Sequence, residues 1–179
     1  MNISMSKISI IGCGWLGFSL AKFLVGKGFV IKGSTTSEEK IPVLEKARIQ
    51  PFLIEAGEVL KGNNLNEFFE TDILIINIPP RRRRSDVENI HFLEVKNIID
   101  SAIEAGIGKV IFCSSTGVYE DNNALAVETD LPKPSTGSTK ALVKIEAYLK
   151  SKPQIKSTIL RFAGLVGGDR KAGRFLAGK

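Results

Sequence analysis

The sequence predicts an α/β protein built on a three-layer, doubly wound parallel sheet of about six strands. Two observations predict this class. Six short apolar segments rich in β-branched residues alternate with amphipathic helical segments along the 179 residues, an order typical of parallel sheets that are covered by helices on both faces. In addition, the first strand runs directly into a glycine-rich turn and then a helix.

The first strand, residues 7–11, ends in a glycine motif of the form G-x-G-x-x-G, and residues 18–27 follow with helical spacing. In this pattern the first glycine allows a tight turn, the second lets a pyrophosphate approach the backbone, and the third lets the helix lie close to the strand. The helix N-terminus adds unpaired N–H groups and partial positive charge. We therefore expect a dinucleotide to bind at Gly12, Cys13, Gly14, Trp15, Leu16 and Gly17.

The end of the second strand, residues 29–33, is the place where such folds recognise the adenosine ribose. An acidic residue there favours NAD, but this chain has Ser34, Thr35 and Thr36, followed by Lys40. Hydroxyl groups and an ammonium group accept a 2′-phosphate, so the sequence favours NADP over NAD. The alternative is that Ser37 caps the next helix and the threonines are loop residues.

The central strand is predicted at residues 72–78, the most apolar run of the chain, and it stops at Pro79 and Pro80. Ligands of doubly wound sheets bind outside the carboxyl ends of the strands, so Asn77, Ile78 and Pro79 are expected to contact the cofactor. The segments before it are predicted as a helix (38–47), a strand (50–54), a loop (57–64) and a helical turn (65–69).

Four consecutive arginines, residues 81–84, follow the central strand. They lie at the edge where a phosphate or an anionic substrate could be held, but a solvated basic loop is an equal alternative. The remaining elements are a helix (86–105), a strand (109–114), a polar loop (114–119), a surface loop (120–134), a helix (136–150) and a strand (157–162), with no clear element in 164–179.

Composition limits the functional classes. The net charge of +6 is concentrated in the arginine run, and without aromatic residues among the basic ones no nucleic-acid partner is expected. Cys13 and Cys113 are interpreted as small buried residues, and the single histidine, His91, has no metal-ligand spacing, so no metal site is predicted. With no charged leader and no long apolar stretch, we expect a soluble, cytoplasmic protein without a membrane segment.

Three stretches together resemble the extended short-chain dehydrogenase/reductase superfamily, the NAD-dependent epimerase/dehydratases, in an atypical bacterial form. They are residues 10–17 (IIGCGWLG), 112–119 (FCSSTGVY) and 160–167 (LRFAGLVG). The resemblance implies a Rossmann fold, an NAD or NADP cofactor, a carbonyl, hydroxyl or sugar-nucleotide substrate, and a homodimer formed through helices 86–105 and 136–150. It also implies an NAD(P)-binding domain in residues 1–165, with 166–179 beginning a carboxyl-terminal region that is cut short.

The family's catalytic residues are only partly present. By resemblance, Ser115 takes the serine or threonine position and Lys140 the lysine position, which implies that Lys140 also binds the nicotinamide ribose of the cofactor. Thr136 stands where the family has tyrosine. An aliphatic hydroxyl is far less acidic than a phenol and needs a separate base. Tyr119 is the nearest other tyrosine to Ser115 in the sequence. It either replaces the missing tyrosine or packs in the fold, and packing is favoured. Two functions follow: an oxidoreductase or epimerase, or a non-catalytic dinucleotide-binding protein that senses redox state or regulates a partner.

Overall fold

A computed structural model describes residues 6–81, 86–171 and 173. Its strands are β1 (Lys7–Ile11), β2 (Val30–Thr35), β3 (Gln50–Glu55), β4 (Lys61–Gly62), β5 (Ile73–Ile76), β6 (Lys109–Ser115) and β7 (Lys156–Phe162), and its helices are α1 (Trp15–Gly26), α2 (Ile41–Lys46), α3 (Leu65–Phe69), α4 (Val87–Glu104) and α5 (Gly137–Lys150). Short 3-10 turns occupy Glu38–Lys40 and Thr116–Val118. None of these helices is long and apolar enough to cross a membrane.

The sheet has the order β4-β3-β2-β1-β5-β6-β7. All neighbouring strands are parallel except β4, which pairs antiparallel with β3. The six predicted parallel strands are confirmed, and β4 is an additional strand inside the segment that was predicted as a loop. It has only two residues, too short for alternating hydrophobicity to reveal it.

Two apolar layers cover the sheet, which confirms the three-layer arrangement. One face packs against α3, α4 and α5 through a cluster that includes Phe68, Ile98 and Ile145, all fully buried. The other face packs against α1 and α2 around Ile10, Ile31 and Leu44. Burial on both faces explains why the central strands read as continuous apolar runs rather than as alternating ones.

Several element boundaries near the carboxyl edge of the sheet differ from the sequence prediction. Strand β2 continues through Thr35 because Ser34 and Thr35 pair with β3. Strand β5 ends before Asn77, whose side chain bonds the glycine loop instead. Helix α1 begins at Trp15, inside the glycine motif. The predicted helix 38–47 is divided where a proline occupies the first turn of α2.

The chain reverses its direction of winding at β1, because β2 and β3 lie on one side of it and β5, β6 and β7 on the other. Ile10 pairs with Gly33 of β2 and with Ile75 of β5. In doubly wound sheets the crevice at such a reversal is the usual ligand site. The topology therefore places the glycine motif, which follows β1, at this crevice.

Candidate functional site

The glycine motif is held in shape by hydrogen bonds from two neighbouring strands. Gly12 has φ of +100°, a backbone conformation that favours glycine. Its N–H donates to Ser34 Oγ at 2.9 Å, and its carbonyl accepts from Asn77 Nδ2 at 3.1 Å. The Cys13 N–H donates to the Ser34 carbonyl at 2.8 Å. The ends of β2 and β5 thus fix the turn from both sides.

Gly17 and Gly14 have opposite surroundings. A Cβ on Gly17 would lie 2.2 Å from the Gly12 carbonyl oxygen, so only glycine lets α1 pack this closely on the turn. A Cβ on Gly14 would meet nothing within 4 Å. Gly14 is exposed at the N-terminus of α1, and no side chain of the described residues caps that end of the helix. The unpaired N–H groups there are available to an anionic ligand.

A cavity of about 220 Å³, the glycine-loop cavity, opens above this turn. Two cationic residues, Lys40 and Arg81, line it, and so does the buried Glu94 of α4. The other arginines of the run, Arg82, Arg83 and Arg84, lie outside the described residues. The remaining lining residues are Ile11, Gly12, Cys13, Gly14, Ser34, Thr35, Thr36, Ile54, Ala56, Asn77, Ile78 and Pro79.

The three hydroxyl residues after β2 differ in their surroundings. Ser34 is buried, and its Oγ accepts the bond from Gly12. Thr35 is also buried, and its Oγ1 accepts from the Ser37 N–H at 3.1 Å. Thr36 is exposed at the cavity. Ser37 occupies the cap position of the following 3-10 turn but makes no side-chain capping bond.

A second cavity of about 260 Å³, the Ser115 cavity, lies beside the first and shares Asn77, Ile78 and Pro79 with it. Ser115 Oγ accepts from the Gly117 N–H at 3.1 Å, which leaves the hydroxyl hydrogen free to donate elsewhere. The other lining residues are Leu16, Pro80, Cys113, Ser114, Ser138, Thr139, Leu142, Phe162, Ala163, Leu165 and Arg170.

Thr136 and Lys140 are not among the residues that line the Ser115 cavity. Thr136 is the N-cap of α5: its Oγ1 accepts from the Thr139 N–H at 3.2 Å, while Thr139 Oγ1 accepts from the Thr136 N–H at 3.1 Å. This capping box satisfies N–H groups that the helix itself cannot pair. Lys140 has an exposed side chain. Thr136, at the family's tyrosine position, therefore has a structural role as the N-cap of α5.

Tyr119 belongs to a hydrogen-bond network of buried and half-buried side chains that includes Ser114, which lines the Ser115 cavity. Its hydroxyl accepts from Arg161 Nη1 at 2.6 Å, and Arg161 Nη2 pairs with Glu146 Oε2 at 2.6 Å. Ser114 Oγ donates to Glu146 Oε1 at 2.7 Å. The hydrogen bond to Glu146 raises the pKa of the Arg161 guanidinium further. These bonds support the packing role that the sequence favoured for Tyr119.

Both thiols near the two cavities are poor nucleophiles. Burial raises the pKa of Cys13 to about 12 and that of Cys113 to about 11. Cys13 is buried, as predicted, whereas Cys113 is half-buried and lines the Ser115 cavity. Because only a thiolate reacts readily, neither residue is prepared for redox or covalent chemistry near neutral pH.

Sequence reasoning did not identify three residues of the Ser115 cavity: Ser138, Thr139 and Arg170. Ser138 and Thr139 are in the first turn of α5, and a small-polar run at a helix start was a signal for them. Arg170 follows two glycines in a segment with no predicted element. In the sequence, only the glycine pair at 167 and 168 indicates a turn before Arg170. In the structure these glycines have φ of +147° and +55° and form that turn.

The residues fit a dinucleotide. The open space at Gly14 admits a phosphate to the backbone, and the uncapped start of α1 offers N–H donors to it. Gly14 lines the first cavity, and the second cavity adjoins the first at residues 77–79, which line both. An elongated ligand with a phosphate at its middle matches this layout.

Comparison with known proteins agrees with this geometry. The profile of the family described as NAD(P)H-binding matches residues 12–179. Protein YeeZ of Escherichia coli strain K12 is 36% identical over 177 residues, which are 98% of this chain and 64% of that protein. The chain thus spans less than two thirds of this curated relative.

Solved structures with the same fold include epimerases. A putative NAD-dependent epimerase/dehydratase from Methylobacillus flagellatus has a TM-score of 0.70 at 27% identity, covering 93% of this chain and 57% of that one. The UDP-N-acetylglucosamine 4-epimerase from Bacillus cereus has a TM-score of 0.73 at 19% identity, covering 93% and 56%. The chain therefore belongs to the NAD(P)H-binding family and has the Rossmann fold of the NAD-dependent epimerase/dehydratases and short-chain dehydrogenases/reductases.

Proposed function

We propose that this chain is the cofactor-binding part of an NADP(H)-dependent oxidoreductase or epimerase that acts on a carbonyl, hydroxyl or sugar-nucleotide substrate. The observation that carries the cofactor preference is the lining of the glycine-loop cavity. Thr36 is exposed there together with Lys40 and Arg81, and the end of β2 has no carboxylate. A 2′-phosphate gains charge-assisted hydrogen bonds from such groups, whereas the uncharged 2′-hydroxyl of NAD forms no ion pair with them.

When bound, the nicotinamide ring supplies hydride transfer. The chain's own residues bind and orient the cofactor and the substrate. Gly14 and the start of α1 hold the pyrophosphate, and residues 77–79 lie where the two halves of the ligand meet. Ser115, with its hydrogen free, is placed to donate to a substrate oxygen in the Ser115 cavity. With Thr136 engaged as a helix cap, the proton that accompanies hydride transfer needs another donor.

The cofactor proposal is tested by calorimetric titration of Lys40→Gln with NADPH and NADH. Loss of an ammonium–phosphate contact worth about 1.5–3 kcal/mol weakens NADPH binding by roughly 10- to 100-fold, and NADH binding changes little. Lys46→Gln is the matched control, since Lys46 is an exposed lysine at the end of α2, outside the cavity. Equal changes for both dinucleotides, or tighter NADH binding by the wild type, contradict the proposal.

A second function, a non-catalytic dinucleotide-binding protein that senses redox state or regulates a partner, is favoured by one observation. Thr136 caps α5 in place of the family's tyrosine. Thr136→Tyr discriminates between the two functions when NADPH consumption is followed with small carbonyls and sugar nucleotides. Turnover by the wild type supports catalysis. Turnover that arises only in the variant supports the non-catalytic function.

A further inference from the structure

The single tryptophan of the chain ties the glycine motif to a turn far along the sequence. Trp15 Nε1 donates to Asp169 Oδ1 at 2.8 Å across 154 residues. The turn itself is closed by reciprocal backbone bonds between Gly167 and Arg170, of 3.0 and 2.9 Å. Gly167 and Gly168 lie against the indole. A Cβ added to either glycine would be 4.0 Å from an atom of the Trp15 ring. We call residues 167–170 the docked turn.

The docked turn places Arg170 at a defined position. Its guanidinium lies over the Trp15 ring, 4.3 Å from the ring centroid. Stacking uses the flat face of the guanidinium and leaves the N–H groups at its edge free to donate. Within residues 6–81 and 86–171, the Arg170 side chain forms no hydrogen bond and no ion pair. Asp169, its neighbour, is instead bound to the indole.

The Arg170 side chain lines the Ser115 cavity together with Leu16, which follows Trp15 at the start of α1. It is therefore close to the helix end that receives the pyrophosphate, on the side away from Lys40 and Arg81. A pyrophosphate carries two negative charges, and a planar guanidinium binds phosphate oxygens through parallel N–H bonds. No other cationic residue lines the Ser115 cavity within the described residues.

We infer that Arg170 is a cofactor-binding residue that contacts the pyrophosphate on its nicotinamide side, and that Trp15 and Asp169 position it there. This inference rests on the proposed dinucleotide binding and extends it to a residue outside the glycine motif. It also gives Trp15 a role that the glycine pattern does not assign, because the x positions of that pattern carry no required side chain.

The test is the affinity of Arg170→Gln for NADPH or NADH, whichever the wild type binds more tightly. The affinity of the matching adenosine fragment is measured by competition with the dinucleotide. The fragment is adenosine 2′,5′-bisphosphate for NADPH and 5′-AMP for NADH. Arg170→Gln is expected to weaken dinucleotide binding about tenfold and fragment binding less than twofold, because the fragment ends before the nicotinamide-side phosphate. Lys40→Gln is expected to weaken binding of NADPH and of adenosine 2′,5′-bisphosphate alike. Lys171→Gln, which removes the same charge one residue away, is the control.

Trp15 fluorescence gives a second readout, because Trp15 is the only tryptophan. Dinucleotide addition is expected to change its emission in the wild type and less so in Arg170→Gln. Unchanged dinucleotide affinity in a folded Arg170→Gln protein overturns the inference, as does an equal loss for the fragment and the dinucleotide. If Arg170→Gln does not fold, Arg170→Lys takes its place with the same two probes. A wild type that binds no dinucleotide defeats the proposed function itself, which is a different result.

Discussion

The two cavities at the carboxyl edge of the sheet differ in what their signature residues do. Around the glycine-loop cavity, Gly12 and Gly17 have the backbone conformation and close packing that the motif requires, and Gly14 is left open to a ligand. Around the Ser115 cavity, Thr136 caps a helix instead and Lys140 is exposed. The backbone shape of the glycine motif is present at the first cavity, whereas beside the second the threonine at the family's tyrosine position serves as a helix cap.

This difference follows from what each motif specifies. A glycine motif specifies backbone shape, which sequence and topology determine almost fully. A catalytic motif specifies side-chain chemistry, and its meaning changes when one member is replaced. The difference between the two cavities can be tested with variants that affect dinucleotide binding and protein stability separately.

Gly17→Ala is expected to have the broadest effect, because it lowers stability and abolishes dinucleotide binding together. Its Cβ would stand 2.2 Å from the Gly12 carbonyl oxygen, so the turn has to move. We expect a loss of about 1–3 kcal/mol in the free energy of unfolding and loss of measurable dinucleotide binding. Denaturant unfolding and calorimetric titration measure the two quantities. Gly26→Ala in the same helix meets nothing within 4 Å and is expected to retain binding; equal behaviour of the two variants contradicts this account.

Gly14→Val sharpens the comparison within the motif. The Gly14 backbone is compatible with a side chain, and a Cβ there meets no atom within 4 Å. We expect near wild-type stability, with dinucleotide affinity lowered at least tenfold because the side chain occupies the phosphate's approach. A variant that binds NADPH normally shows that the pyrophosphate does not lie at Gly14.

Glu146→Gln is expected to have the opposite effect to Gly14→Val: it lowers stability and leaves dinucleotide binding unchanged. The side chain is 3% exposed and pairs with Arg161, and removing one partner of a buried pair costs about 3–5 kcal/mol. We expect that loss of unfolding free energy with dinucleotide affinity unchanged in the folded protein. Glu104→Gln, at an exposed position near the end of α4, is the control. A stable variant would show that the network contributes little to the fold.

The pH dependence of stability has a contribution from His91. Burial lowers its pKa in the folded state below the ordinary value, so below about pH 6.5 the unfolded chain binds the proton more readily. We expect stability to fall as the pH decreases through 6.5, by at most about 1.4 kcal/mol per pH unit from this group. Chemical unfolding of the wild type and His91→Gln between pH 7.5 and 5.5 measures the difference. Equal slopes in the two proteins refute this contribution.

The smallest effect concerns the helix cap. Thr136→Ala removes the Oγ1 that accepts from the Thr139 N–H and is expected to cost about 1 kcal/mol, whereas Thr136→Ser retains most of the stability. Thermal unfolding of the three proteins measures this order. An alanine variant as stable as the wild type indicates that Thr136 is kept for a reason other than capping.

The fold was predictable from the sequence because periodicity and one glycine motif determine a doubly wound sheet. Gly12, Gly14 and Gly17 could be assigned because their roles depend on having no side chain. Ser34 could not, since whether a serine faces a ligand or braces a turn depends on how far β2 extends. Arg170 was missed because its place depends on Trp15, 155 positions earlier in the sequence, and no local pattern carries that information.

The most direct test of NADP(H) binding at the glycine-loop cavity is thermal unfolding of the wild type with NAD⁺, NADH, NADP⁺ and NADPH. At about 100 times its dissociation constant a ligand adds roughly 2.7 kcal/mol, which corresponds to a rise of about 5–11 °C for a protein of this size. We expect that rise for the NADP pair, with a smaller one for the NAD pair at the same concentrations. No rise with any of the four, or a larger rise with the NAD pair, contradicts this expectation.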